Sequence, residues 1–184
     1  MNRNTTHKAQ SIWAKLWLPA LAGLTLLGAS AAPAMATDNR APEVPQLTAG
    51  STNVVHFHGF GVGVQIYTWN GSSWGKAVPD ATLFDDEGNV VATHFAGPTW
   101  QSNSGSQVKG VLAVPPLIVD TNSIPWLLLT AVNQVGPGIF AETTFIQRVN
   151  TVGGKAPSTD GTFVGQVAAV AYTADYFFYR ATNN

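Results

Sequence analysis

The part of this chain beyond its first 36 residues reads as one all-β domain, an antiparallel β-sandwich or a flattened β-barrel. Three observations lead there. Short runs of Val, Ile, Thr and aromatic residues recur from residue 54 onward, cut by Gly, Pro, Asn and Asp. No window carries a helical apolar stripe with caps. The turns between runs leave no room for crossover helices, so neighbouring strands are expected to run antiparallel. The pattern does not separate sandwich from barrel, although connections of uneven length lean towards the sandwich.

Residues 1–36 have the layout of a secretory signal peptide. Arg3, Lys8 and Lys15 form a basic region, an apolar run extends from Leu16 to Leu27, and Ala34-Met35-Ala36 supplies an A-x-A cleavage pattern. Pro19 and Gly23 interrupt the apolar run, which falls short of the roughly 20 residues of a spanning helix. No transmembrane span is therefore expected after cleavage, the alternative being an uncleaved N-terminal anchor. The expected destination is periplasmic or extracellular. Cleavage leaves 148 residues, enough for a single domain. The chain has no cysteine, which excludes disulfides, thiol catalysis and thiolate metal ligands. Three of the nine basic residues lie in the signal, leaving six against ten acidic ones. Those six are dispersed, so neither nucleic acid nor an anionic membrane surface is an expected partner.

Residues 37–53 are polar and carry two prolines, an extended leader before the domain at 54–184. Strands are expected at 54–58, 63–69, 81–84, 90–95, 107–114, 126–132, 143–149 and 167–179. Asn70-Gly71, between Trp69 and Trp74, is a strong hairpin signal. A four-residue loop there sets the two indoles opposite each other, worth up to about 1 kcal/mol. Asn70-Gly71-Ser72 is also a glycosylation sequon, relevant only in a eukaryotic host. Asp85 to Asn89 forms a longer turn in which Gly88 supplies a positive φ. The apolar run at 126–132 is short and lies between Pro125 and Gly136-Pro137-Gly138, which favours a buried strand over a helix. Two irregular stretches, 115–125 and 150–162, are long enough to carry function.

Gly59, Gly61 and Gly63 lack the spacing of a dinucleotide fingerprint and precede a strand rather than a helix. No nicotinamide or flavin cofactor is expected, and the glycines read as a bulge or a close approach of another element. Beyond them, Gln65, Tyr67 and Trp69 share one strand face. That face could stack a sugar ring, but a half-buried face bonded to backbone is favoured. His56 and His58 lack a third ligand at recognisable spacing, so no metal site is expected. The acidic run Asp85-Asp86-Glu87 sits at a hairpin tip and fails both calcium-loop and paired-carboxylate patterns. His94 stands at a strand end before Gly97-Pro98 and Trp100, as an acid/base, a ligand contact or, preferably, a histidine that fixes the turn. Arg148 alternates with Gln147, and one of them is drawn inward. An inward arginine needs a carboxylate or several carbonyls. Asp175 is the expected partner, in a structural pair or beside a clamp for an acidic ligand.

Gly63-Val64-Gln65-Ile66-Tyr67, residues 94–100, Ile124-Pro125-Trp126, Ile146-Gln147-Arg148-Val149-Asn150-Thr151 with Gly153-Gly154, and the closing run at 172–179 carry a resemblance. Together they resemble an uncharacterised domain-of-unknown-function family of exported bacterial and fungal proteins. Some fungal members carry a malate-dehydrogenase-like label, which the missing dinucleotide fingerprint does not support here. The resemblance marks Gln65, His94, Trp100, Arg148 and Asn150 as signature positions. With Tyr67 these are the ligand-binding candidates. The leading expectation is a non-enzymatic binding or envelope-associated module for a carbohydrate, cell-wall component or small ligand. One alternative is a hydrolase, lyase or isomerase with His94 and Arg148 or Asp175 in one pocket. Another is a structural or stress-related matrix protein without a small-molecule site.

Overall fold

The computed structural model describes residues 41–182. The expected signal peptide at 1–36 and the first four residues of the leader lie outside the described residues. A 3-10 turn at Pro45–Leu47 precedes eight strands. These are β1 (Asn53–Thr68), β2 (Val78–Phe84), β3 (Val90–Phe95), β4 (Thr99–Ser102), β5 (Gln107–Leu112), β6 (Leu127–Val135), β7 (Thr143–Gly153) and β8 (Val167–Ala181). Each pairs antiparallel with its neighbours in sequence, and β1 also pairs with β8, closing a barrel. The fold is all-β as expected, and closure decides for the barrel over the sandwich. Uneven connections were a poor guide, because a meander tolerates any loop length between strands that already lie side by side.

β1 runs unbroken where the residue pattern suggests two strands. A Cβ on Gly63 would lie 2.2 Å from the Asp80 carbonyl oxygen and 2.5 Å from Ala81 Cα. One on Gly61 would lie 2.6 Å from Tyr176 Cε2. The glycines therefore serve close approach, and the β1 bulge falls earlier, between Val55 and Phe57. β4 has no counterpart in the sequence reading, since TWQS is short and half polar. β7 continues to Gly153, so residues 150–153 are strand rather than loop. Both hairpins form: Trp69 bridges to Trp74 with ring centroids 5.4 Å apart, and Gly88 takes φ 83°.

The barrel interior holds Leu83, Trp100, Ile146, Tyr176 and Phe178. Phe140, from the β6–β7 connection, plugs one end against Phe178 and Phe57, at centroid distances of 4.7 and 5.9 Å. A second apolar layer covers the outside of β6, β7 and β8. Leu47 and Ala49 lie on Leu128, with Phe145 and Tyr179 alongside. Gln147 ties this layer to the wall, its Nε2 donating to the Leu47 carbonyl at 3.1 Å and its Oε1 accepting from the Tyr179 hydroxyl at 3.1 Å. The described part of the leader is thus a packed strap.

Two substitutions test these contacts. Leu47→Ala empties a fully buried site and is expected to cost about 2–5 kcal/mol in urea unfolding. A loss below about 0.5 kcal/mol would show that the strap does not pack. Gly63→Val drives a side chain into the β2 backbone and is expected to cost at least about 1–3 kcal/mol by the same measurement.

Candidate functional site

The barrel end opposite Phe140 opens into a cavity of about 770 Å³. Antiparallel order brings the C-terminal parts of β1, β3 and β5 and the N-terminal parts of β2, β4 and β6 to this end. Four candidates line the cavity together: Gln65 from β1, His94 from β3, Trp100 from β4 and Arg148 from β7. Tyr176 of β8 joins them, and Pro98 and Pro125 border it.

His94 is 2% exposed. Its Nδ1 lies 2.9 Å from the Thr99 carbonyl oxygen, which can only accept, so Nδ1 carries the proton and Nε2 is left as an acceptor. This bond fixes the β3–β4 turn, as the favoured sequence reading expects. The ring stacks on Trp100 at 4.1 Å and 7°, and meets Tyr176 edge-on at 5.4 Å. Burial pushes the His94 pKa down to about 3; the bond to Thr99 opposes this, and the charge of Arg148 adds to it. His94 is therefore neutral at physiological pH. Burial likewise raises the Tyr176 phenol, whose oxygen lies 3.1 Å from that of Tyr172.

Arg148 points inward, but the expected pair with Asp175 does not form. Arg148 is in register with Tyr176, while Asp175 is in register with Val149 on the outer face. Arg148 Nε and Nη2 instead donate to the Pro125 carbonyl at 3.2 and 2.8 Å. Asp175 accepts from Asn150 Nδ2 at 2.8 Å and lies 3.0 Å from His58 Nε2, whose Nδ1 is 2.8 Å from Asp86. Burial opposes protonation of His58, yet the bonds to Asp175 and Asp86 outweigh it and raise its pKa. Asn150 leaves the Arg148 face because β7 bulges between Val149 and Val152, and it takes φ 50° there. Tyr67 also stands apart. Its hydroxyl donates to the Gly154 carbonyl at 2.6 Å beside a smaller cavity of about 290 Å³. That is the backbone-bonded role favoured for it. Among the described residues no group of three His, Asp or Glu side chains is placed to hold a metal ion.

The cavity is electrically one-sided. Lys76, Lys109 and Arg148 line it, three of the five lysines and arginines among the described residues, and no Asp or Glu does. Two fully buried donors, Gln65 Nε2 and Trp100 Nε1, make no hydrogen bond of normal geometry, although the Gln65 side chain lies close enough to the Tyr172 phenol to act on it. The sequence reading missed Lys76 and Lys109, which are far from Arg148 along the chain and share the cavity lining with it only once the strands lie in their barrel order. For chemistry, the site offers a neutral histidine with a low pKa and no carboxylate to orient it, which makes a weak general base.

Residues 49–180 match a protein family described as Protein of unknown function (DUF3455). No curated protein and no solved structure matches the chain.

The histidines predict an acid-side loss of stability. His94 has a folded pKa of about 3 against about 6.5 unfolded, so the unfolded chain binds the extra proton between those values. Stability is full above pH 6.5 and falls as pH drops. His56, lowered to about 4 by burial and Arg180, acts in the same direction. His58, with a raised pKa, changes little below 6.5, where both states are protonated. Urea unfolding at pH 6.5 and 5 is expected to show a loss on the order of 1–2 kcal/mol from His94, and His94→Gln should flatten that slope. An unchanged slope in the variant would mean that His94 is not buried neutral.

Proposed function

The chain therefore belongs to that family of unknown function, and we propose that its barrel is an exported, non-enzymatic binding module that takes one small organic ligand into its interior. The carrying observation is that Gln65, His94, Trp100 and Arg148 converge from four strands on one cavity. Its volume of about 770 Å³ lies in the range of roughly 300–1,000 Å³ found for small-molecule sites. An eight-stranded barrel is wide enough for one such ligand. The stacked His94–Trp100 plane and the Tyr176 edge offer an aromatic wall.

Other readings have less support. Tyr67 and Trp69, proposed from sequence as a platform, are buried, so a cell-wall polymer has no aromatic surface there to lie on. The catalytic reading keeps His94 and Arg148 in one cavity, but it loses Asp175 to the outer face and has in His94 only a weak general base. A matrix protein without a small-molecule site does not account for a cavity lined by signature residues. Export to the periplasm or the extracellular space rests on the signal-like segment at 1–36.

The test is titration with N-phenyl-1-naphthylamine, a neutral fluorophore that brightens in apolar surroundings. One-to-one enhancement with quenching of tryptophan emission is expected. Leu127→Trp, which fills the cavity from its wall, should weaken binding about tenfold or more with an unchanged circular dichroism spectrum. A wild-type protein that leaves the fluorophore dark would overturn the reading.

A further inference from the structure

We infer that the ligand is an organic acid, its carboxylate held by Arg148, the Gln65 amide and the Trp100 indole N–H, its apolar body lying along the cavity wall. This rests on the binding reading above and adds the chemical class of what is bound.

The argument begins with donors that lack acceptors. A buried N–H without a partner costs about 1–3 kcal/mol, and native interiors hold few of them. Here two occur on residues that line one cavity, on side chains 2% and 1% exposed. The third group is Arg148. Two of its N–H groups share a single carbonyl, that of Pro125. A guanidinium has five N–H donors, and no carboxylate among the described residues pairs with this one. A half-buried cation without a counterion is unfavourable unless something arrives to neutralise it. An anionic acceptor supplies both the hydrogen bonds that the two N–H groups lack and the counter-charge that Arg148 lacks.

The remaining walls define the rest of the molecule. Val111, Leu112, Pro116, Leu127 and Leu129 are apolar, so only one end of the ligand is polar. A carboxylate suits that end better than a phosphate ester. It is planar and carries one charge, matching one guanidinium fork, and two neutral N–H donors suffice for its remaining lone pairs. Lys76 and Lys109, also in the lining, give the cavity a positive field that favours entry of an anion into a protein of net negative charge. His94, kept neutral, adds a flat surface without competing for the charge.

The experiment is displacement of bound N-phenyl-1-naphthylamine by four probes of equal chain length: decanoate, decanamide, decyl phosphate and decylamine. Decanoate is expected to displace the fluorophore at a concentration about tenfold or more below that of decanamide. Decylamine should be the weakest. In Arg148→Met the ratio of decanoate to decanamide should fall to about one, and Arg148→Lys should keep part of it. Trp100→Phe, which retains a ring and loses the N–H, should lower the ratio severalfold. Equal displacement by decanoate and decanamide in the wild-type protein would overturn the inference and leave the binding reading standing. Decyl phosphate outcompeting decanoate would overturn the carboxylate assignment. If the fluorophore itself does not bind, both readings fall. The wild-type comparison needs no variant, so it decides the matter even if Arg148→Met does not fold.

Discussion

The seam between β1 and β8 is the constraint on which the rest of the barrel depends. Among the described residues it is the only pairing that joins strands distant in sequence, and it runs from Asn53–Ala181 to Thr68–Val167. Without it the sheet would be an open meander with two long edges, and the interior would have no lid on one side. The seam is possible because β1 is bare where its neighbours press on it. Tyr176 of β8 fills the space over Gly61, and the β2 backbone fills the space over Gly63. The same absence of side chains that tightens the wall gives Tyr176 room to reach His94 and Trp100. Seam and cavity are thus two results of one local feature.

The two ends of the barrel then take opposite characters. At one end Phe140 meets Phe57 and Phe178, and the hydroxyls of Ser102, Ser104 and Ser106 satisfy one another. The Phe140 N–H also donates to Ser106 Oγ, so the buried polar groups of this plug are paired, as a permanent core requires. The residues lining the other end include Gln65 and Trp100, whose buried N–H donors make no hydrogen bond of normal geometry. Trp100 touches both regions, stacked on His94 and at right angles to Phe178. A protein that needed only a core would have completed both ends in the first manner.

Local features were legible in the sequence and long-range ones were not. The Asn70–Ser73 loop and the Asp85–Asn89 turn depend on a few adjacent residues, and both form. Alternation along one strand put either Arg148 or Gln147 inward, and register with the interior Tyr176 decides for Arg148. Its partner also depends on register: β8 places Asp175 against Val149 rather than against Arg148. Asn150, a ligand-binding candidate from the sequence, stays out of the cavity for a related reason, since a bulge resets the alternation at that residue. β1 was read as two strands because glycine weakens every strand signal, although here glycine is what close packing requires. The charge of the cavity was the least legible property, as Lys76, Lys109 and Arg148 are far apart along the chain.

The meander order has a consequence for how the chain reaches this state. Hairpins between sequence neighbours close short loops, and the entropy cost of closure grows with loop length. The β1–β8 seam closes a loop from Asn53 to Ala181, so it forms late, after the local pairs have supplied a surface to close upon. Until then β1 and β8 are free edges of 16 and 15 residues, rich in valine and aromatic side chains. Two partly folded chains can join those edges to each other in place of their own. Refolding yield should therefore fall with protein concentration, and a chain without cysteines has no covalent crosslink to bias it towards its own partner strand.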